Sequence, residues 1–117
     1  MTATENFDSN TLLEHLLGDE ELGREILAIY VDSAAALLKS IESALADADA
    51  QAVGLHSHSL KGASANVGAT LLGALARQAE ERSKRGETEA VRELLPALAK
   101  AYDAFLADAR ATGWIAA

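Results

Sequence analysis

Glycines 18, 68 and 86 and the acidic turn Asp47-Ala48-Asp49 divide this chain into stretches dominated by strong helix formers. Ala and Leu make up most of the apolar half of the composition, aromatics only 4%, and Pro96 is the single proline. β-branched and aromatic residues, the raw material of strands, are scarce, so the chain is predicted to be all-α. Its 117 residues suffice for one sizeable core and one domain, 1–117. The segments fall at about 10–17, 19–46, 50–66, 69–85 and 88–111. One short and four longer amphipathic helices joined by short turns imply an up-down four-helix bundle, with the N-terminal helix packed as a cap or lid.

Local signals support these limits. Thr11 with Glu14 three residues on reads as a capping box for the first helix, and Gly18 ends it. Asp19 is placed to cap the second helix, whose first turn carries Glu20 and Glu21 at the positive end of the helix dipole. Leu22, Ile26, Ile29, Leu37, Ile41 and Leu45 recur at helical spacing and are predicted to form its buried stripe. Asp47-Ala48-Asp49 both turns the chain and caps the third helix. Leu72, Leu75 and Ala79 are predicted to point inward on the fourth helix, and Val91, Leu94, Leu98, Tyr102 and Phe105 on the fifth. Pro96 inside the last segment predicts a kink or a restart. Trp114, beyond Gly113, belongs either to the bundle or to a loose tail.

Composition also removes classes of function. The chain carries 10 basic and 18 acidic side chains, net −8, which argues against binding nucleic acid or an anionic membrane. The imbalance is local: residues 1–57 hold 2 basic and 11 acidic side chains, residues 58–117 hold 8 and 7. Without cysteine there is no disulfide framework, thiolate metal site or thiol nucleophile. Met1 to Asn10 contains neither an apolar run nor a basic leader, and no stretch of 18 apolar residues occurs, so a cytoplasmic location is expected.

The third helix is where chemistry enters. At about 100° per residue, Val53, His56, Leu60, Ala63 and Val67 share a stripe predicted to face the core. His58 lies about 200° from His56 and points away from it, among Gly54, Lys61, Gly62 and Ala65. A solvated helix face normally carries long polar side chains; here one imidazole stands among small residues beside one lysine. Two glycines in a helix cost about 1 kcal/mol each relative to Ala, which suggests close approach of something to the backbone around His58. An open imidazole with a cation one turn away suits acceptance of a phosphoryl group. His56 reads as a partly buried structural histidine, and His15 as a surface one. His56 and His58, at i and i+2, diverge and so cannot chelate one metal ion.

The run His58-Ser59-Leu60-Lys61-Gly62, followed by Ala63-Ser64-Ala65-Asn66-Val67-Gly68-Ala69, resembles the signature of histidine-containing phosphotransfer (HPt) domains. The resemblance implies a monomeric helical bundle that carries a phosphoryl group between receiver-domain aspartates, or from a hybrid sensor kinase. It implies that His58 is the phosphoacceptor, Lys61 the phosphate-neighbouring lysine, and Gly62 the small residue giving a partner access. On the fourth helix Gly73, Arg77, Glu80 and Lys84 share a face by spacing. The resemblance matches Glu80 to the residue that accepts a hydrogen bond from the imidazole Nδ1 and leaves Nε2 as nucleophile. Gln78 is the weaker candidate, and Glu80 alternatively pairs with Arg77 or Lys84. His56 is a departure from the family pattern. Docking is expected over Leu55, Gly62, Ala65, Arg77 and Lys84, with exposed faces of the second and fourth helices; Arg77 to Arg85 otherwise form a solvated helix end.

These features describe a carrier, not an autonomous enzyme. There is no phosphate-binding Gly-x-x-x-x-Gly-Lys loop, so no ATP site is expected, and no cofactor or metal of its own; Mg²⁺ is expected on the receiver partner. The competing class is a helical interaction module that binds a regulator without carrying phosphate, disfavoured by the joint presence of His58 and Lys61. A bundle enzyme or metal carrier lacks the inward Glu-x-x-His pairs it needs.

Overall fold

Five helices follow one another in the computed structural model, which describes residues 6–116: α1 Ser9–His15, α2 Glu20–Ala46, α3 Ala50–Val67, α4 Thr70–Lys84 and α5 Thr88–Ala111. Among the described residues there is no strand pair forming a sheet. α2 packs on α3, α3 on α4, α4 on α5 and α5 back on α2, which closes an up-down four-helix bundle, and α1 caps it against α2 and α3. No helix among the described residues is long and apolar enough to cross a membrane.

The caps explain most of the limits. Asp19 accepts from Leu22 N–H and Asp49 from Ala52 N–H, each at 3.1 Å, and so start α2 and α3 as their sequence positions indicated. α1 differs. Asp8, not Thr11, caps it, accepting from Asn10 N–H at 3.1 Å and from the Thr11 hydroxyl at 3.3 Å, so the helix begins at Ser9. Thr11 is therefore spent inside the first turn instead of opening a capping box with Glu14. α5 runs unbroken through Pro96 and does not restart. The proline is exposed, on the solvent-facing side of the helix.

The buried faces are rotated from the apolar stripes in two places. On α2, Ile41 and Leu45 are buried, but Leu22 and Ile29 are exposed, at 39% and 67%, while Gly23, Leu27, Tyr30 and Ala34 face the core. On α3 the buried seam is Val53, Ser57, Leu60, Ser64 and Val67, and His56 and Ala63 are only half-buried. One polar pair belongs to both buried seams. The Tyr30 and Ser64 hydroxyls meet at 2.6 Å inside the bundle, so two polar atoms satisfy each other where an apolar stripe would not place them. Burial pushes the Tyr30 phenol up to about 12, which keeps it neutral at any working pH.

Aromatic residues from distant parts of the chain close one end. Phe7 stacks edge-on against Phe105 at 5.3 Å and Trp114 at 6.3 Å, and Tyr30 against Phe105 at 5.2 Å. Trp114 is thus part of the bundle, with the Arg24 guanidinium 4.9 Å over its ring. Phe7, 1% exposed, is a core residue in a segment with no helical periodicity to announce it.

Gly68 ties this end to the α3–α4 turn. It closes α3 at φ 81°, in the left-handed region, and its carbonyl accepts from Asp8 N–H at 2.8 Å. A Cβ at this position would collide with the Asp8 carbonyl, whereas Gly86, at φ 73°, has open space around it. Gly68→Ala is therefore expected to cost more than about 2 kcal/mol and Gly86→Ala about 1 kcal/mol. Urea denaturation of the two variants checks the difference.

Candidate functional site

α3 and α4 are antiparallel neighbours joined by the tight Gly68-Ala69 turn, so residues 54–65 of one face residues 73–84 of the other. The pairs follow one another along the seam. Gly54 lies against Ser83, His58 and Lys61 meet Glu80, and Gly73 lies against Ser64 near the Lys61 carbonyl. The i, i+4 spacing of Gly54 and His58 and the i, i+3 spacing of Glu80 and Ser83 put all four on the two edges of this seam.

Glu80 is the centre. Only 6% exposed, its carboxylate has lost most of its water. Lys61 Nζ donates to Oε1 at 2.7 Å, His58 Nδ1 lies 2.9 Å from Oε2, and Lys84 Nζ stands 3.5 Å from the same Oε2. The Lys61 hydrogen bond holds the Glu80 carboxyl down to about 2 against the opposing effect of burial, with help from His58 and Lys84. An ionised carboxylate only accepts, so the proton of the shared bond sits on His58 Nδ1. In the neutral imidazole Nε2 then keeps its lone pair. The His58 side chain is 65% exposed, so an oriented ring is presented to solvent.

An open groove runs beside the ring, lined by Gln51, Leu55, Ser83 and Lys84. Leu55 is 64% exposed, an unusual exposure for a leucine, and Ala65 and Arg77 are also exposed. Gly62 has nothing within 4 Å of where a Cβ would stand, which leaves the surface beside His58 open. Arg77 lies along a second groove with Lys61, Ala65 and Gly73. Gln78 is exposed and takes no part in the contacts to His58; Arg82 pairs with Glu87 at 3.4 Å. His56 lies away from His58, in a shallow cleft with Lys39, Ser43, Asp47 and Asp49. His15 Nδ1 lies 3.1 Å from the Asn66 carbonyl. Among the described residues no three His, Asp or Glu side chains converge as a metal site requires.

Two features depart from the sequence reading. Gly54 does not leave room for a second protein: a Cβ there would stand 2.9 Å from Ser83 Oγ, so the close neighbour is this chain's own α4. Lys61, read as a partner for phosphate alone, is bonded to Glu80. The alternatives for Glu80 also merge, since it bonds His58 and Lys84 together. The Lys61–Glu80 and Gly54–Ser83 contacts cross between helices, and spacing along one helix carries no signal for them.

A family model of the Hpt domain matches residues 25–108. The chain belongs to the Hpt domain family, the histidine-containing phosphotransfer domains. It is 28% identical over 99 residues to the phosphorelay intermediate protein rdeA of Dictyostelium discoideum, an overlap of 85% of this chain. This chain spans 39% of the length of that relative. Its fold is also similar to the crystal structure of the histidine-containing phosphotransfer protein B (HptB) of Pseudomonas aeruginosa PAO1, with a TM-score of 0.84 and 27% identity, covering 92% of this chain and 95% of that one.

The depressed Glu80 carboxyl fixes a pH dependence. The unfolded chain takes up this proton near the ordinary 4.5 and the folded one near 2. The stabilisation is therefore complete above about pH 5 and lost as pH falls toward 2. The gap in unfolding free energy between wild type and Glu80→Gln is expected to be about 2–3 kcal/mol at neutral pH and to close across that window. Urea titrations of both proteins from pH 7 to 2 measure it.

Proposed function

We propose that this protein is a phosphorelay carrier: His58 accepts a phosphoryl group from the aspartyl phosphate of a receiver domain, alone or within a hybrid sensor kinase, and passes it to a response-regulator aspartate. The observation that carries the reading is the imidazole held by its Nδ1 on a buried, ionised carboxylate while the rest of the ring stands in solvent. Membership of the Hpt family supports it, as does the similarity to a protein named a phosphorelay intermediate.

The chemistry balances without moving a proton. The Nε2 lone pair attacks the phosphorus in line, an N–P bond forms, and the P–O bond to the aspartate breaks with its electron pair leaving on the carboxylate. The ring becomes a phosphoimidazolium that keeps its proton on Nδ1, and Glu80 offsets the positive charge that develops there. Lys61, one turn on and half-buried, supplies positive charge for the phosphoryl oxygens, and Lys84 a second cation nearby. Return of the group to a second aspartate reverses these bond changes. Mg²⁺ belongs to the receiver partner in this scheme, and this chain brings orientation, charge and a docking surface.

The protein acts as a cytoplasmic monomer that carries the group stoichiometrically and has no turnover of its own. Leu55, Gly62 and Ala65 form the small and apolar part of the docking surface, with Arg77 and Lys84 at its charged edge. An interface of this kind is modest in area and quick to release.

Incubation with a phosphorylated receiver domain is expected to give acid-labile, base-stable label on the wild type and none on His58→Gln. Equal label on both would overturn the assignment, and receiver binding without label would mark a phosphate-independent module. Gly62→Phe is expected to unfold at a urea concentration no lower than the wild type, since the position is open and glycine is a poor helix residue. Its affinity for the receiver should fall at least tenfold, as read by calorimetric titration.

A further inference from the structure

Gly54 and Ser83 sit one turn from the reacting pair, toward the start of α3 and the end of α4, and neither touches His58 in the scheme above. Ser83, 5% exposed, donates its hydroxyl to the Glu80 carbonyl at 2.7 Å. The same oxygen lies 2.9 Å from where a Gly54 Cβ would stand. A real Cβ does not tolerate that distance, so a side chain at 54 must rotate the serine off the Glu80 carbonyl or push α4 away from α3. Either change acts on the residue whose carboxylate orients His58. At the other end of the seam the situation is relaxed: a Cβ on Gly73 would meet Ser64 Cβ at 3.4 Å, an ordinary contact.

We propose that Gly54 and Ser83 form a positioning contact that sets the α3–α4 separation at which Glu80 reaches the His58 Nδ1–H. The missing side chain at 54 lets α4 approach, and the Ser83 hydroxyl, pinned on the Glu80 carbonyl, fills the space left. The His58–Glu80 bond, at 2.9 Å, has little slack, because the carboxylate is held on its other side by Lys61 at 2.7 Å. A small outward shift of α4 therefore lengthens the His58 bond or the Lys61 bond. With the Nδ1–H partner weakened, the imidazole repopulates the tautomer in which Nε2 carries the proton and has no lone pair to offer. Gly54 and Ser83 are positioning residues in this scheme, acting through Glu80, and their relevance to transfer rests on the phosphocarrier reading.

The test uses the whole chain with ¹⁵N-labelled histidine, and reads the His58 tautomer from ring-nitrogen spectra above the imidazole titration. Wild type is expected to show Nδ1–H. Gly54→Ala is expected to shift His58 measurably toward Nε2–H and to slow single-turnover phosphoryl transfer about tenfold at saturating receiver, with receiver affinity unchanged. Adding Ser83→Ala removes the obstructing oxygen and is expected to restore both the tautomer and the rate to within about twofold of Ser83→Ala alone. Gly73→Ala, the control, leaves the tautomer as in wild type. An unchanged tautomer in Gly54→Ala, or a shift that Ser83→Ala fails to repair, overturns the proposal. Should Gly54→Ala not fold, recovery of a folded protein by Ser83→Ala supports the contact, and failure to recover it overturns the contact. The tautomer needs no phosphoryl donor, so absence of transfer in the wild type would count against the carrier reading and leave the positioning result standing by itself.

Discussion

A carboxylate taken out of water needs its lost hydration replaced, and the arrangement of α3 and α4 answers that need for Glu80. Without partners such a group would take up a proton or destabilise the fold by several kcal/mol. Lys61 across the seam and Lys84 one turn along α4 supply charge, and the imidazole of His58 supplies a directed donor. The same contacts that make the buried anion tolerable also orient the ring. The closure of the seam and the orientation of the imidazole therefore rest on one group, and the two lysines outnumber that carboxylate beside His58 although the protein as a whole is acidic.

The rest of the bundle keeps that seam in register. Gly68 turns α3 into α4 in a conformation an L side chain resists, and the same residue holds Asp8, so the N-terminal segment packs Phe7 onto Phe105 and Trp114. The Tyr30–Ser64 bond locks α2 on the opposite side of α3. α3 is thus fixed by polar contacts to both neighbours and by a backbone tie at its end. The serines buried along it take less room than a leucine seam would; Ser64 bonds Tyr30, whereas the Ser57 hydroxyl is buried without a hydrogen-bond partner among the described residues. Of the 11 acidic side chains in residues 1–57, five lie on α2 and Asp19, Asp47 and Asp49 in the turns that flank it, while Arg82 and Lys84 occupy the last turn of α4, where a helix dipole favours cations.

Much of this was legible from local pattern. Asp19 and Asp49 announced their caps because a side chain two or three residues from a free N–H is a local fact. The outward direction of His58 followed from 100° steps, and so did the shared face of Glu80 and Lys84. The apolar stripe of α2 was misplaced by Leu22 and Ile29, which hydropathy draws inward and packing leaves exposed. The α3 stripe erred the other way, since Ser57 and Ser64 are buried where periodicity favoured His56 and Ala63. Thr11 looked like a cap because Asp8 lay in a segment without a pattern of its own.

The sequence by itself determined the helices, their order, and the histidine left facing solvent among small residues, because these depend on propensity and on a period that each helix carries alone. Only the tertiary structure decided which oxygen of Glu80 meets His58, that Lys61 takes the other, and that the gap at Gly54 is filled by Ser83. Those contacts join residues 19 to 29 positions apart, and they depend on how closely two helices approach. That distance is set by the volumes and hydrogen bonds of both faces at once, and no single stretch of sequence contains it.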